Sequence, residues 1–186
     1  MLMLDYSHIK GLDIICDTNI LIDLSKAHLE VGLSHFITSL MLNENNLQYS
    51  NYSIFEFLRG QPKKLIQDYE EILELFDDLE VSENHMIIAA QLMSLYKHHN
   101  LISDASTSKK NPSMIDDGDY IIAATAFSNK KTAILTRNYS DFPRPFFNEA
   151  CKHYLEYEKE GKKGVEIYYV LTPDLPYVNK MYHLIN

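Results

Sequence analysis

Acidic and carboxamide side chains recur at four places in this chain, each just after a short apolar run or at the opening of a helical one. Asp17 and Asn19 follow LDIIC (residues 12–16), and Glu56 stands near the start of the helical segment after LQYS (residues 47–50). Asp116, Asp117 and Asp119 precede YIIAATAF (residues 120–127), and Asn138 and Asp141 follow TAILT (residues 132–136). Singly, each has a bland reading. Asp17 or Asn19 can cap a helix, Glu56 can complement a helix N-terminus, the DDGD run can be an N-cap with an acidic first turn, and Asn138 can be a turn residue. Their convergence is what those readings explain poorly. Packed carboxylates repel and raise one another's pKa, so such a cluster is unfavourable unless a cation occupies it. An all-oxygen group without His or Cys suits Mg²⁺ or Mn²⁺ rather than zinc.

Convergence requires a sheet. The run at Leu12–Cys16 and the run at Thr132–Thr136 are short, continuously apolar and closed by polar residues, which fits strands buried on both faces of a parallel sheet. Leu47–Ser50 and Leu79–Val81 read as two further short strands. Between them the apolar residues take helical spacing: from Ile20 through Leu24 and on to Leu33, Phe36, Ile37 and Leu40, from Ile54 to Gly60, over residues 63–78, over about 83–99, and over Tyr120–Phe127. Residues 103–113 read as a loop and 141–150 as irregular. Tyr154–Glu158 and Val165–Leu171, joined by KEGKKG, suit a terminal hairpin. Strands alternating with helices are the mark of a doubly wound α/β fold. In such a sheet ligands bind beyond the carboxyl ends of the strands, which is where all four polar segments fall.

Composition narrows the class. Seventeen Lys plus Arg against 26 Asp plus Glu leave a net charge of −9, which argues against a broad basic face for nucleic acid but not against an enzyme that reaches it through a metal. A chain of 186 residues corresponds to one domain able to bury its own core. Cys16 and Cys151 are the only cysteines, so a disulfide scaffold is excluded and a reducing, cytoplasmic compartment is expected. The opening MLMLDYSHIKGLD shows no signal-peptide pattern. No apolar run approaches the roughly eighteen residues of a membrane span.

The segments IICDTNILIDLS, SIFEFLRG, DYIIAATA and ILTRNYSDF resemble, in that order, the motif blocks of the PIN-domain family, and most of all its VapC-type toxin ribonucleases. The blocks run from Asp13 to Phe142. The resemblance implies a three-layer α/β/α sandwich around a parallel sheet. It implies a PIN-like nuclease domain over residues 1–148, with residues 149–186 as a C-terminal extension packed on the same domain. The implied activity is Mg²⁺- or Mn²⁺-dependent cleavage of RNA phosphodiesters, leaving a 5′-phosphate and a 3′-hydroxyl. The family's first acid falls on Asp17 with its polar companion on Asn19, the second on Glu56 and the third on Asp119. The fourth position holds Asn138 where many relatives carry Asp, and Asp141 is the nearest acid. Asp17 and Asp119 are expected to hold the metal, with Glu56 as ligand or orienter of a water and Asp116 as a further carboxylate. Ser53 and Thr136 are read either as supporting hydroxyls beside them or, more often for such residues, as cap or turn residues. The implied partners are an RNA substrate, an antitoxin protein and a second copy of the chain, with no membrane.

Two other functions compete: a PIN-like domain that has lost catalysis and serves as a binding module, and a phospho-accepting receiver domain. The second lacks an evident Lys after a late strand. No G-x-x-x-x-G-K-[ST] or G-x-G-x-x-G segment is present, and the histidines show no zinc spacing. Arg137 is read either as a phosphate contact or as an ion-pair member. Tyr49, Tyr52, Tyr120 and Tyr139 are read either as base-stacking aromatics near the site or, by default, as core or rim packing.

Overall fold

The structure is a computed structural model that describes residues 6–60, 70, 72–102, 115–129 and 131–185. Strand β1 (Asp13–Cys16) shows why an apolar run this short suffices: Ile14, Ile15 and Cys16 have no exposed surface. Successive residues point to opposite faces of a strand. Ile14 and Cys16 accordingly enter one core and Ile15 the other. β4 (Thr132–Thr136) repeats the pattern, with Ala133 and Leu135 on the first side and Ile134 on the second. The sheet therefore lies between two layers of helices. The first layer holds α1 (Thr18–Leu24), α2 (Glu30–Leu42) and α3 (Asn51–Gly60), which supply Leu21, Phe36, Leu40 and Phe57 to its core. The second holds α4 (Glu83–Ile102), α5 (Asp117–Phe127) and α6 (Leu175–Ile185), which supply Leu92, Ala123 and Met181.

The six strands, completed by β2 (Asn46–Ser50), β3 (Asp77–Leu79), β5 (Phe147–Lys159) and β6 (Lys162–Pro173), lie in the order β3-β2-β1-β4-β6-β5. β3, β2, β1 and β4 are parallel, with Ile14 beside both Leu47 and Ala133. β6 runs antiparallel to β4 and to β5. The fold is the expected α/β/α sandwich, but the sheet is mixed, not wholly parallel.

The cause is local. Glu160 (φ 52°) and Gly161 (φ 75°) form a two-residue turn with both residues in the left-handed region. Such a turn matches the twist of the flanking strands and returns the chain antiparallel. The hairpin is longer than the sequence suggests, beginning at Phe147 inside the stretch expected to be irregular. Two single-turn 3₁₀ helices, Tyr139–Asp141 and Arg144–Phe146, account for the rest of that stretch. β5 is an edge strand covered by α2. A methyl group on Gly32 would fall 2.9 Å from Cδ1 of Leu155, and the ring of Phe36 stacks on His153 at 4.0 Å.

Three further differences have simple reasons. The helical spacing after Ile20 resolves into two helices, because Ser25 Oγ and Lys26 Nζ bond back to Ile22 O (2.7 Å) and Asp23 (2.7 Å) and close α1. β3 falls two residues before the expected Leu79–Val81, since this edge strand is polar and carries no apolar run. α6 was not apparent in the sequence; its Tyr177 hydroxyl meets Nδ1 of His99 on α4 at 2.7 Å. The first half of the helix expected over residues 63–78, and the loop expected over 103–113, lie outside the described residues. Among the described residues no helix is long and apolar enough to cross a membrane.

Leu155 is buried between β5 and α2. Leu155→Ala is expected to lower stability by about 2–5 kcal/mol, with one urea transition at a reduced midpoint. Two separated transitions would show instead that the hairpin melts apart from the rest.

Candidate active site

Strand pairing sets the site. β1 and β4 run parallel with Cys16 beside Leu135, so Asp17 and Thr136 emerge together at the carboxyl edge of the sheet, and the Asp17 N–H donates to Leu135 O (3.0 Å). On the other flank Cys16 lies beside Tyr49, so β2 delivers the N-terminus of α3 to the same edge.

Asp17 occupies the N-cap position of α1, yet its side chain makes no capping bond. It is 4% exposed and is held from the side of β4. Its Oδ2 accepts from Thr136 Oγ1 (2.7 Å) and from Asn19 Nδ2. Asn19 also donates to Thr136 Oγ1 (3.0 Å) and accepts the N–H of Arg137 (2.9 Å), while Thr136 Oγ1 accepts the N–H of Asn138 (3.0 Å). One hydroxyl thus ties β4, the following turn and α1 to a single carboxylate. Glu56 is oriented from α1: its Oε2 accepts from Thr18 Oγ1 at 2.7 Å.

The DDGD run does what its bland reading says and more. Asp116 caps α5, accepting from the N–H of Gly118 (3.0 Å), and Asp119 returns the capping box by accepting from the N–H of Asp116 (3.2 Å). Asp116 is exposed while Asp119 is half-buried and faces the other acids. Beyond β4, Asn138 Nδ2 donates to Asp141 and Ser140 Oγ braces Asn138 Oδ1 (2.6 Å). The two candidates for the fourth position therefore work in series, with Asn138 holding Asp141. Ser53 is placed elsewhere: its hydroxyl meets that of Ser50 at 2.9 Å, and the Ser50 hydroxyl accepts the Ser53 N–H, capping α3 instead of touching a carboxylate.

Electrostatics shows which side chains share the space. Burial lifts Asp17 to about 6; the bonds from Thr136 and from the Thr18 backbone oppose this, and the charges of Asp141 and Glu56 add to it. Asp119 is lifted to about 8, first by burial, then by Asp17 and Asp141, against the bond from the Asp116 backbone and with a further push from Asp116. Asp17, Glu56, Asp119 and Asp141 are brought together from four segments, and Asp116 lies at their rim.

The donor chemistry fits a small hard cation, since oxygens alone face the space and their charges oppose one another. Among the described residues, however, no three His, Cys, Asp or Glu side chains stand close enough to close on one ion. A shared ion therefore requires these side chains to turn inward.

Two supporting residues were not visible in the sequence. Thr18 lies between Asp17 and Asn19, and its bond to Glu56 spans 38 positions. Asp23 is fully buried in an apolar helix face and accepts from Lys26 Nζ (2.7 Å), Arg137 Nη1 (3.1 Å) and the Tyr168 hydroxyl (3.2 Å). Arg137 thus takes the ion-pair reading, locking the end of β4 to α1. A carboxylate at an apolar helical position was the only signal for Asp23.

No protein-family model matches the chain, and no curated protein does. Solved structures are similar to the chain. The structure of FitAB bound to an IR36 DNA fragment matches at 27% identity and a TM-score of 0.52, over 69% of this chain and 87% of that one. The crystal structure of FitAcB from Neisseria gonorrhoeae matches at 26% identity and a TM-score of 0.53, over 69% of this chain and 90% of that one. The fold is PIN-like. In this PIN-like sheet Asp17 and Asp141 follow the carboxyl ends of β1 and β4, Glu56 lies on the helix that follows β2, and Asp119 lies in the first turn of α5.

Asp17 and Asp119 are harder to ionise in the folded chain than in the unfolded one, where about 4 is ordinary. The folded chain then binds more protons than the unfolded one between about pH 4 and the raised values of about 6 and about 8, so stability falls as pH rises through that window. Calorimetry of the metal-free protein is expected to show a lower Tm at pH 8 than at pH 5. Asp119→Asn should flatten that slope, gaining on wild type progressively from pH 5 to pH 8. An unchanged slope would remove Asp119 as its source.

Proposed function

We propose that this protein is a metal-dependent endoribonuclease, hydrolysing RNA phosphodiester bonds as the toxin of a toxin–antitoxin pair. The observation that carries the reading is the gathering of Asp17, Glu56, Asp119 and Asp141 at one sheet edge, with Asp17 and Asp119 both pushed upward by burial and by neighbouring charge. The likeness to FitAB and FitAcB supports a PIN-like toxin that works with an antitoxin partner. The motif resemblance to VapC-type toxins supports RNA as substrate, a homodimer and a place in the cytoplasm.

Asp17 and Asp119 would hold a Mg²⁺ or Mn²⁺ through their carboxylates, with Glu56 and Asp141 as further oxygens and Asp116 at the rim. When bound, such an ion lowers the pKa of a water and neutralises charge on the phosphate. The residues of the chain prepare that chemistry. Thr136 and Asn19 stabilise the charged form of Asp17 by donating to it, and Thr18 fixes the direction of Glu56. Asn138 holds Asp141 toward the space it shares with Asp17 and Asp119. Water adds hydroxide to phosphorus and its proton goes to the leaving 3′-oxygen, giving a 5′-phosphate and a 3′-hydroxyl. An antitoxin Arg or Lys would be drawn to the same carboxylates.

The second reading, an inert PIN-like binding module, draws on Asn138 standing where an acid is common. Asp141, held by that same Asn138, weighs against it.

Labelled single-stranded RNAs incubated with Mg²⁺, Mn²⁺ or EDTA test the proposal. Wild type should cut with metal and not with EDTA. Asp17→Asn and Asp119→Asn should each lower the rate by about a hundredfold or more, since each removes a charged metal ligand. Asp141→Asn should cost more activity than Asn138→Ala, because the first removes the charge and the second only its support. Metal binding without cutting of any RNA would favour the inert module.

A further inference from the structure

The face of α3 that carries Glu56 also carries Tyr52, Phe55 and Arg59, three and four residues apart, so the four side chains line one side of the helix. Tyr52 is seated firmly. A methyl group on Gly118 would fall 2.4 Å from Cε1 of its ring, so the phenol rests against the first turn of α5, between Asp117 and Asp119. The ring of Phe55 lies 6.3 Å from that of Tyr52 and is tilted 48° to it, and the guanidinium of Arg59 lies over Phe55 at 5.8 Å from its centroid. Phe55 is nevertheless 58% exposed. The result is a short ladder of flat groups that starts at the carboxylates and ends on a cation.

We propose that Tyr52, Phe55 and Arg59 form a stacking plate for an unpaired base of the RNA substrate, beside the reacting phosphate. The identity of the ligand rests on the ribonuclease reading; the plate itself rests on the geometry. Every base has a π-face that stacks on aromatic rings and on arginine planes. A net charge of −9 leaves little general attraction for a polyanion. Stacking beside one cation supplies affinity that does not depend on a basic surface. Arg59 also offers the phosphate backbone a positive partner at the edge of an acidic site, which orients the strand so that a phosphate meets the carboxylates.

The test uses the full chain carrying Asp17→Asn, so that RNA is held without being cut, and a fluorescent random-sequence single-stranded RNA 12-mer. Adding Phe55→Ala should weaken binding about tenfold or more, whereas Phe55→Tyr should retain it. Phe55→Trp introduces the only tryptophan of the chain. Its emission should be quenched by the RNA and not by inorganic polyphosphate, which has charge but no bases. Unchanged RNA affinity in Phe55→Ala, or no RNA binding by the parent, would overturn the plate. So would a Phe55→Ala variant that keeps its RNA affinity but no longer binds a co-expressed antitoxin, since the face would then serve a protein. The two proposals separate cleanly. Cutting by the otherwise wild-type chain, with KM unmoved by Phe55→Ala, sinks the plate alone. RNA binding that needs Phe55, in a chain that cuts no RNA, sinks the nuclease alone.

Discussion

The hydroxyl of Thr136 donates to Asp17 across the seam between β1 and β4, and the rest of the site is arranged around that bond. It exists because two parallel strands end in register, with Cys16 beside Leu135. The same oxygen accepts from Asn19 and from the backbone of Asn138, so α1 and the turn after β4 are held to one point. Asn138 in turn holds Asp141, and Thr18, next to Asp17 in the chain, orients Glu56. A shift of β4 by one residue would turn Thr136 to the opposite face and dismantle these links together.

Two buried carboxylates on the same short stretch show opposite designs. Asp23 is met by Lys26, Arg137 and the Tyr168 hydroxyl, two of them cations, and it joins α1 to β4 and β6. Asp17, six residues earlier, is also buried, but its side chain meets a neutral hydroxyl, a carboxamide and a backbone N–H in place of cations, with Glu56 and Asp141 as charged neighbours. The first arrangement ties elements together. The second stores repulsion that a cation would relieve, which is how functional sites commonly trade stability for chemistry. The first stands directly behind the second: Arg137, pinned by Asp23, gives its N–H to Asn19, which holds Asp17.

The C-terminal hairpin contributes from a distance. β6 pairs with β4 at Ile134, Leu135 and Thr136, the residues leading to the site, and brings Tyr168 to Asp23. β5 closes the edge and is itself covered by α2 through the approach of Gly32 to Leu155. The C-terminal hairpin is thus woven into the same sheet as the site.

What the sequence determined by itself was the alternation of short apolar runs with helical spacing, and with it the placement of Asp17, Glu56 and Asp141 after strands and of Asp119 at the opening of a helix. Those features are local: an apolar run marks a buried strand, and a polar residue after it falls at the sheet edge. Tertiary structure decided what depends on partners far apart in the chain. The edge strand β3 is polar because it borders the sheet on one side only, and the hairpin expected from KEGKKG joins the parallel sheet by pairing β6 antiparallel to β4. The helix cap and the candidate site acid in DDGD could not be told apart by spacing; packing exposed Asp116 and half-buried Asp119. Ser53 and Thr136 looked alike as hydroxyls near strand ends, yet only Thr136 points at a carboxylate, because Ser53 is taken by the cap of its own helix. Thr18 meets Glu56, and Asp23 meets Arg137, across 38 and 114 positions. Spacing along a chain carries distance only within one element, and these contacts exist because separate elements are brought to the same edge of one sheet.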